Sequence, residues 1–184
     1  MESRIIIAGA GGQGILFLGK VLAQAGMIEG KQVTWFPSYG AEMRGGTANC
    51  TVIVSDEMIG SPVVLTPDIL IAMNRISAER FQAQLKKRGL LLFDSSLVNN
   101  VPFRENICPV GVPATKIAGS LGNTRAANMV MLGALIAETA LIKKSSFDRL
   151  FSLTHAAGNN AAAINKNLIL EGMKYLENKK SCYC

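Results

Sequence analysis

RIIIAGAGGQG, residues 4–14, decides the fold of this chain, together with the apolar segment that continues to Glu29. Three consecutive β-branched residues, at 5–7, are typical of a short strand buried on both faces. Residues 9–14 match G-x-G-x-x-G, the pattern of a tight turn between a strand and a helix. Residues 15–29 carry apolar side chains at helical spacing and are followed by Gly30, a common helix terminator. The stretch therefore predicts a strand, a glycine turn and a helix.

The rest of the chain repeats this alternation of short apolar strands and helices. A second strand at 33–36 completes a βαβ unit, which predicts a parallel sheet with a right-handed crossover. Further strands are expected at 48–55, 69–73, 90–93 and 106–110, and further helices at 77–87, 124–140, 146–154 and 160–177. Strands dominate early and helices late. The predicted fold class is α/β, with a Rossmann-like, mostly parallel sheet, flanking helices and a C-terminal helical portion.

Composition indicates a protein whose surface is partly covered by another chain. Hydrophobic residues make up 49% of the 184 residues and charged residues only 17%, whereas about a quarter is usual for charged residues. The formal net charge is +6, but the basic residues are scattered and aromatic residues too sparse for base stacking, so nucleic acid is not an expected partner. A basic chain is compatible with an anionic ligand.

Targeting and metal signals are absent from the sequence. No secretory leader and no apolar stretch of transmembrane length is recognisable, so we expect a cytoplasmic protein without a membrane anchor. The spacing of the four cysteines matches no iron–sulfur or structural zinc pattern, and no metal site is predicted. These cysteines are Cys50, Cys108, Cys182 and Cys184.

The glycine turn is the first candidate site. Its backbone N–H groups can approach a phosphate at the start of the following helix, so we predict a cofactor-binding cradle. The predicted cradle consists of Gly9, Gly11, Gly12, Gln13 and Gly14. An NAD site would also need an acidic residue at the end of the strand at 33–36, and none is present. Tight helix–sheet packing, binding of another anion and contact with a neighbouring chain remain alternatives.

The second candidate site is SYGAEMRGGT, residues 38–47, a glycine-rich segment directly after the second strand. Ligands of open α/β sheets bind at that edge, and Arg44 can hold a phosphate or carboxylate with two hydrogen bonds. Arg44 is therefore a predicted cofactor-binding residue. The predicted partner-facing or active-site residues of this loop are Tyr39, Gly40, Glu42, Gly45 and Gly46.

Taken in order, these motifs resemble the gamma subunit of 2-oxoacid:ferredoxin oxidoreductases. The resemblance rests on GAGGQG at 9–14, YGAEMRGG at 39–46, IGSP at 59–62, PDIL at 67–70, DSS at 94–96 and NMVMLG at 128–133. It spans most of the chain, and the form of residues 39–46 is closer to the 2-oxoglutarate and branched-chain branches than to the pyruvate branch. The resemblance implies that residues 1–184 form one gamma-type domain.

The same resemblance implies a function in a multi-subunit oxidoreductase. Such complexes decarboxylate a 2-oxoacid on thiamine diphosphate, transfer the acyl group to coenzyme A and pass electrons to ferredoxin. Thiamine diphosphate, Mg²⁺ and the iron–sulfur clusters are expected on the alpha and beta subunits and, in some complexes, a ferredoxin-like delta subunit. This chain alone should be inactive, with coenzyme A as the substrate that it helps to hold. The alternatives are a free-standing Rossmann-type nucleotide-binding oxidoreductase and a non-catalytic interaction module.

Overall fold

A computed structural model describes residues 1–38, 47–156 and 161–178 of the chain. The strands are β1 (Glu2–Ala10), β2 (Gln32–Ser38), β3 (Thr47–Ser55), β4 (Ile69–Ala72), β5 (Leu90–Asp94) and β6 (Cys108–Val112). The helices are α1 (Ile15–Ile28), α2 (Arg75–Phe81), α3 (Ala114–Ser120), α4 (Ala127–Thr139), α5 (Lys144–Ala156) and α6 (Ala161–Glu177). Two short 3₁₀ turns, Gln82–Gln84 and Thr124–Ala126, follow α2 and precede α4.

The six strands form one mostly parallel sheet in the order β2-β3-β1-β4-β5-β6. Strands β1, β4, β5 and β6 pair in parallel, and β3 lies antiparallel between β1 and β2. The predicted α/β class with a mostly parallel sheet is confirmed. The predicted βαβ unit is wrong in one respect, because β1 and β2 run in the same direction but are separated by β3. A crossover helix determines the direction of the second strand. It does not determine which strand lies next to that strand in the sheet.

Alternate residues of β1 supply the cores on the two faces of the sheet. Ile5 and Ile7 belong to the larger cluster, together with α1, α4 and α6, whereas Ile6 and Ala8 belong to the smaller cluster beside α2. This is the period of two expected of a strand buried on both faces. The C-terminal helices thus cover one face of the sheet. Within the described residues, no helix is both long and apolar enough to cross a membrane.

Helices α4 and α6 approach until their backbones touch. A Cβ atom on Gly133 would lie 2.0 Å from the carbonyl oxygen of Ile169, and one on Gly172 would lie 2.0 Å from that of Val130. Only glycine permits this distance. The contact fixes α4, and therefore the start of α4, against the rest of the fold.

Some predicted boundaries differ from the structure because local capping residues were misjudged. The helix predicted at 77–87 begins at Arg75, and its N-cap is Asn74, whose side chain accepts a hydrogen bond from the Ser77 N–H. Helix α3 was not predicted. Its seven residues contain two glycine or serine positions and no long apolar repeat, so the periodic signal is weak.

Candidate anion-binding cleft

A cleft of about 330 Å³ opens at the carboxyl ends of the parallel strands. Its lining comes from the segments after β1, β4, β5 and β6 and from the residues before α4. The lining residues are Gly11, Gly12, Gln13, Met73, Leu97, Thr115, Thr124, Arg125 and Ala127. From β1 the chain continues outward through α1 to β2, whereas β4, β5 and β6 lie on the other side of β1. The cleft therefore lies at the topological switch point, where open α/β sheets bind ligands.

The glycine turn needs glycine for two distinct reasons. Gly12 and Gly14 have φ angles of 86° and 70°, a left-handed conformation that side chains disfavour. Gly9 is packed, because an added Cβ would lie 2.9 Å from Cβ of Met73 and closer still to Ile15. At Gly11 an added Cβ would meet no described atom within 4 Å. The same is true of Gly12, so Gly11 differs in having open space without a left-handed φ angle.

Gln13 locks the turn to the neighbouring strand. Its side-chain oxygen accepts a hydrogen bond of 2.7 Å from the Ala10 N–H, and its amide group donates to the carbonyl oxygen of Met73 at 3.0 Å. Ala10 ends β1 and Met73 follows β4. The glutamine side chain therefore holds both sides of the switch point in place.

Gly14 connects the turn to α4. The Asn128 amide donates a hydrogen bond of 3.0 Å to the Gly14 carbonyl oxygen, and a Cβ on Gly14 would lie 2.3 Å from the Asn128 nitrogen. Asn128 is buried. Residues 114 positions apart thereby set the distance between the turn and the start of α4.

The turn presents hydrogen-bond donors without a protein acceptor. In the described parts of the chain, the N–H groups of Gly11 and Gly12 donate to no residue, whereas the Gln13 N–H donates to Ala10. Helix α1 begins directly afterwards, with Gly14 as N-cap and no side-chain cap. The free N–H groups and the positive end of the helix dipole favour an anion at this point.

Arg125 adds a full positive charge to the opposite wall. It lies in the turn Thr124–Ala126 before α4, lines the cleft and is exposed. Its guanidinium group makes no hydrogen bond or ion pair with the residues that the structure describes. Residues with an unpaired guanidinium and with two free backbone N–H groups line the same cleft, and such donors are suited to a phosphate or carboxylate.

A buried carboxylate organises the third wall. Asp94 ends β5 and is fully buried. One of its oxygens accepts from the Ser96 N–H at 3.0 Å, and the other accepts from the N–H and the hydroxyl of Thr115 at 3.1 and 2.5 Å. These bonds replace the hydration that burial removes, and they tie the end of β5 to the start of α3.

Similarity to known proteins agrees with this arrangement. A family model described as "Pyruvate ferredoxin/flavodoxin oxidoreductase" matches residues 4–175. The chain belongs to this family. The family expected from the sequence motifs is thereby confirmed.

Three relatives illustrate the range of the family. The "Ketoisovalerate oxidoreductase subunit VorA" of Methanothermobacter marburgensis is 40% identical over 93% of this chain, which spans only 36% of that relative's length. The "2-oxoglutarate synthase subunit KorC" of the same organism is 34% identical over 95% of this chain and 100% of its own length. The solved keto/oxoacid ferredoxin oxidoreductase gamma subunit of Geobacter sulfurreducens is 29% identical, with a TM-score of 0.80 over 96% of this chain and 99% of that one.

The second predicted site of this family member lies outside the described residues. Tyr39, Gly40, Glu42, Arg44, Gly45 and Gly46 fall between the described residues 38 and 47. The two flanking residues are placed, because Ser38 pairs with Asn49 and Thr47 pairs with Ala10. The described residues Ser38 and Thr47 thus lie at the end of the sheet where the glycine turn begins. Ligand contacts at both predicted sites stay predictions.

The described residues do not fit an iron–sulfur cluster or a bound metal of this oxidoreductase family. They contain no group of three or more His, Cys, Asp or Glu side chains that could hold a metal ion. Burial raises the pKa of the Cys50 thiol to about 12, and Trp35 offsets this only in part. A thiol in that state is a poor thiolate ligand.

Sequence reasoning missed Thr115, Thr124 and Arg125. They lie about a hundred residues after the glycine turn, and none belongs to a recognisable motif. The one local signal was Asp94 at a strand end, since one of the two residues that it binds, Thr115, lines the cleft.

Proposed function

We propose that this chain is the gamma-type component of a thiamine diphosphate-dependent 2-oxoacid:ferredoxin oxidoreductase. Membership of the family supports the reaction class, and similarity over the whole length of a KorC subunit supports a role as a separate subunit. In this proposal residues 1–184 work as one domain in the cytoplasm, and the chain has no activity alone. The 2-oxoacid is decarboxylated on partner subunits.

The cleft is proposed to hold the phosphate groups of coenzyme A. The observation that carries this step is the set of unpartnered donors at the switch point, the N–H groups of Gly11 and Gly12 and the guanidinium of Arg125. Coenzyme A carries several phosphates, and such donors bind phosphate through charge-assisted hydrogen bonds. Arg44, with Tyr39 and Glu42, is proposed to complete the site from segment 39–46.

Partner subunits are proposed to supply the remaining cofactors. Alpha and beta subunits would carry thiamine diphosphate, Mg²⁺ and iron–sulfur clusters, since the described residues of this chain do not fit a metal or a cluster. Ferredoxin would take the electrons. β2 contains no acidic residue, which disfavours the alternative of a free-standing NAD enzyme.

Reconstitution with alpha and beta subunits tests the proposal. Reduction of a viologen dye should require a 2-oxoacid, coenzyme A and all subunits, and the isolated chain should show none. Arg125→Ala should raise the KM for coenzyme A about tenfold, the effect of one charge-assisted hydrogen bond. Arg149→Ala is the matched control, because Arg149 is exposed on α5 and does not line the cleft.

Two results would contradict the proposal. Full 2-oxoacid oxidation by the isolated chain would exclude a subunit role. Equal KM values for coenzyme A in the Arg125 variant, the Arg149 variant and the original complex would exclude the cleft as the phosphate site.

A further inference from the structure

The hydroxyl group of Thr115 donates its proton to another side chain of the protein, that of Asp94. Both carboxylate oxygens of Asp94 accept backbone N–H groups, from Ser96 and from Thr115, so both act as acceptors. In the 2.5 Å contact between the two side chains, the Thr115 hydroxyl is the donor and the Asp94 oxygen is the acceptor.

This arrangement determines the polarity of the cleft wall beside α3. A threonine hydroxyl has one proton and two lone pairs. With its proton directed to Asp94, Thr115 can offer only lone pairs to a ligand in the cleft that it lines. Among the described residues, none donates a hydrogen bond to the Thr115 oxygen.

The cleft consequently has two walls of opposite hydrogen-bonding character. The glycine turn and Arg125 offer donors, which suit an anion, whereas the side chain of Thr115, which lines the cleft, has an acceptor and no free proton. An acceptor facing a phosphate oxygen would be repulsive and unsatisfied. A ligand that fills both walls must place an N–H or O–H group beside Thr115.

We propose that Thr115 is a specificity-determining residue, which accepts a hydrogen bond from a neutral N–H or O–H group of the phosphorylated ligand. Asp94 is the positioning residue that holds the Thr115 proton away from the cleft. This inference rests on the proposed binding of coenzyme A, whose amide, hydroxyl and amino groups are the candidate donors. It explains how the cleft distinguishes coenzyme A from an anion that lacks such a group.

Equilibrium binding to the reconstituted complex tests the inference, with coenzyme A and inorganic pyrophosphate as the two probes. Thr115→Val keeps the shape and the backbone N–H but removes the acceptor. It should weaken coenzyme A binding about fivefold, the effect of one neutral hydrogen bond, and leave pyrophosphate binding unchanged. Thr115→Ser retains the hydroxyl and should bind both probes like the original complex.

Asp94→Asn tests the positioning role. The asparagine amide can donate as well as accept, so it no longer keeps the Thr115 hydroxyl proton directed away from the cleft. Coenzyme A binding should therefore weaken, whereas pyrophosphate binding should not change. A merely structural role would change the affinity for both probes together. If Asp94→Asn does not fold, as shown by its thermal transition, the two Thr115 variants still decide the question.

The outcomes separate this inference from the proposed function. If Thr115→Val leaves coenzyme A affinity unchanged while Arg125→Ala weakens it, Thr115 has no part in specificity and coenzyme A still occupies the cleft. If neither variant changes coenzyme A affinity, both proposals fail. An equal loss for both probes in Thr115→Val would also overturn the specificity role.

Discussion

The two ends of the parallel strands differ in that the carboxyl end, beside its paired polar groups, keeps unpaired donors. At the amino end, charges pair with one another: Asp56 binds Lys31 and the N-terminal amine, and Asp68 binds Lys86 and the Arg4 N–H. At the carboxyl end, Arg125 and the N–H groups of Gly11 and Gly12 have no acceptor among the described residues. Unpaired donors contribute nothing to folding. The difference indicates that the amino end serves stability and the carboxyl end serves binding.

The strongest test of this difference adds one methyl group, in separate variants, to two glycines that lie two residues apart. Gly9→Ala should lower the free energy of unfolding by about 1–3 kcal/mol, because the methyl group overlaps Ile15, Gln13 and Met73. Gly11→Ala should leave that free energy within about 0.5 kcal/mol of the original. Its methyl group should block close approach of a phosphate and raise the KM for coenzyme A at least about tenfold.

Urea unfolding and the viologen assay on the same two proteins give both quantities. Gly11→Ala with a large loss of stability and normal coenzyme A kinetics would reverse the assignment of the carboxyl end to binding.

A second test removes a paired charge from the amino end. Asp68→Ala deletes the acceptor of the Arg4 N–H and the partner of Lys86, and should lower the free energy of unfolding by about 1–2 kcal/mol. The KM for coenzyme A should not change, because Asp68 does not line the cleft. Asp68→Asn, which keeps one acceptor, is the matched control and should lose less stability. A raised KM in the Asp68→Ala complex would contradict the division between the two ends.

The smallest expected effect is on the thermal stability of the chain at acidic pH. Hydrogen bonds from Lys31 and the N-terminal amine lower the pKa of Asp56 from 3.8 to about 2. Because the folded pKa is the lower one, the stabilisation is present above about pH 4 and is lost as the pH falls towards 2. Asp56→Asn should therefore show a shallower decline of Tm between pH 4 and pH 2.

Glu57→Gln, one residue along and exposed, serves as the control for that pH series. The Asp56 effect should shrink in high salt, because its carboxylate is exposed and screened. If Tm declines equally steeply with pH in the Asp56 variant and in the original chain, the ion pairs of Asp56 do not contribute to stability.

Local sequence predicted the elements whose signal lies within one segment. α1 was predicted to within one residue, and β1 extends two residues beyond the predicted strand at 4–8 on each side. Both predictions succeeded because β-branched residues and helical periodicity act over a few positions. α3 was missed because its short sequence carries no clear periodicity. The start of α2 was placed at Ser77, whereas the structure has Asn74 as the N-cap. Of the predicted cradle, Gly11, Gly12 and Gln13 line the cleft, whereas Gly9 and Gly14 are not among its lining residues, and ligand binding by all five stays a prediction.

By itself, the sequence determined the fold class, the family and a glycine turn suited to an anion. Only the tertiary structure decided that β3 lies between β1 and β2, and that Thr115 and Arg125 line the same cleft as the turn. The physical reason is that strand adjacency and the lining of a cleft depend on contacts between residues far apart in the chain. Such contacts, including the bond between Asn128 and Gly14, leave no local periodicity or spacing from which they could be read.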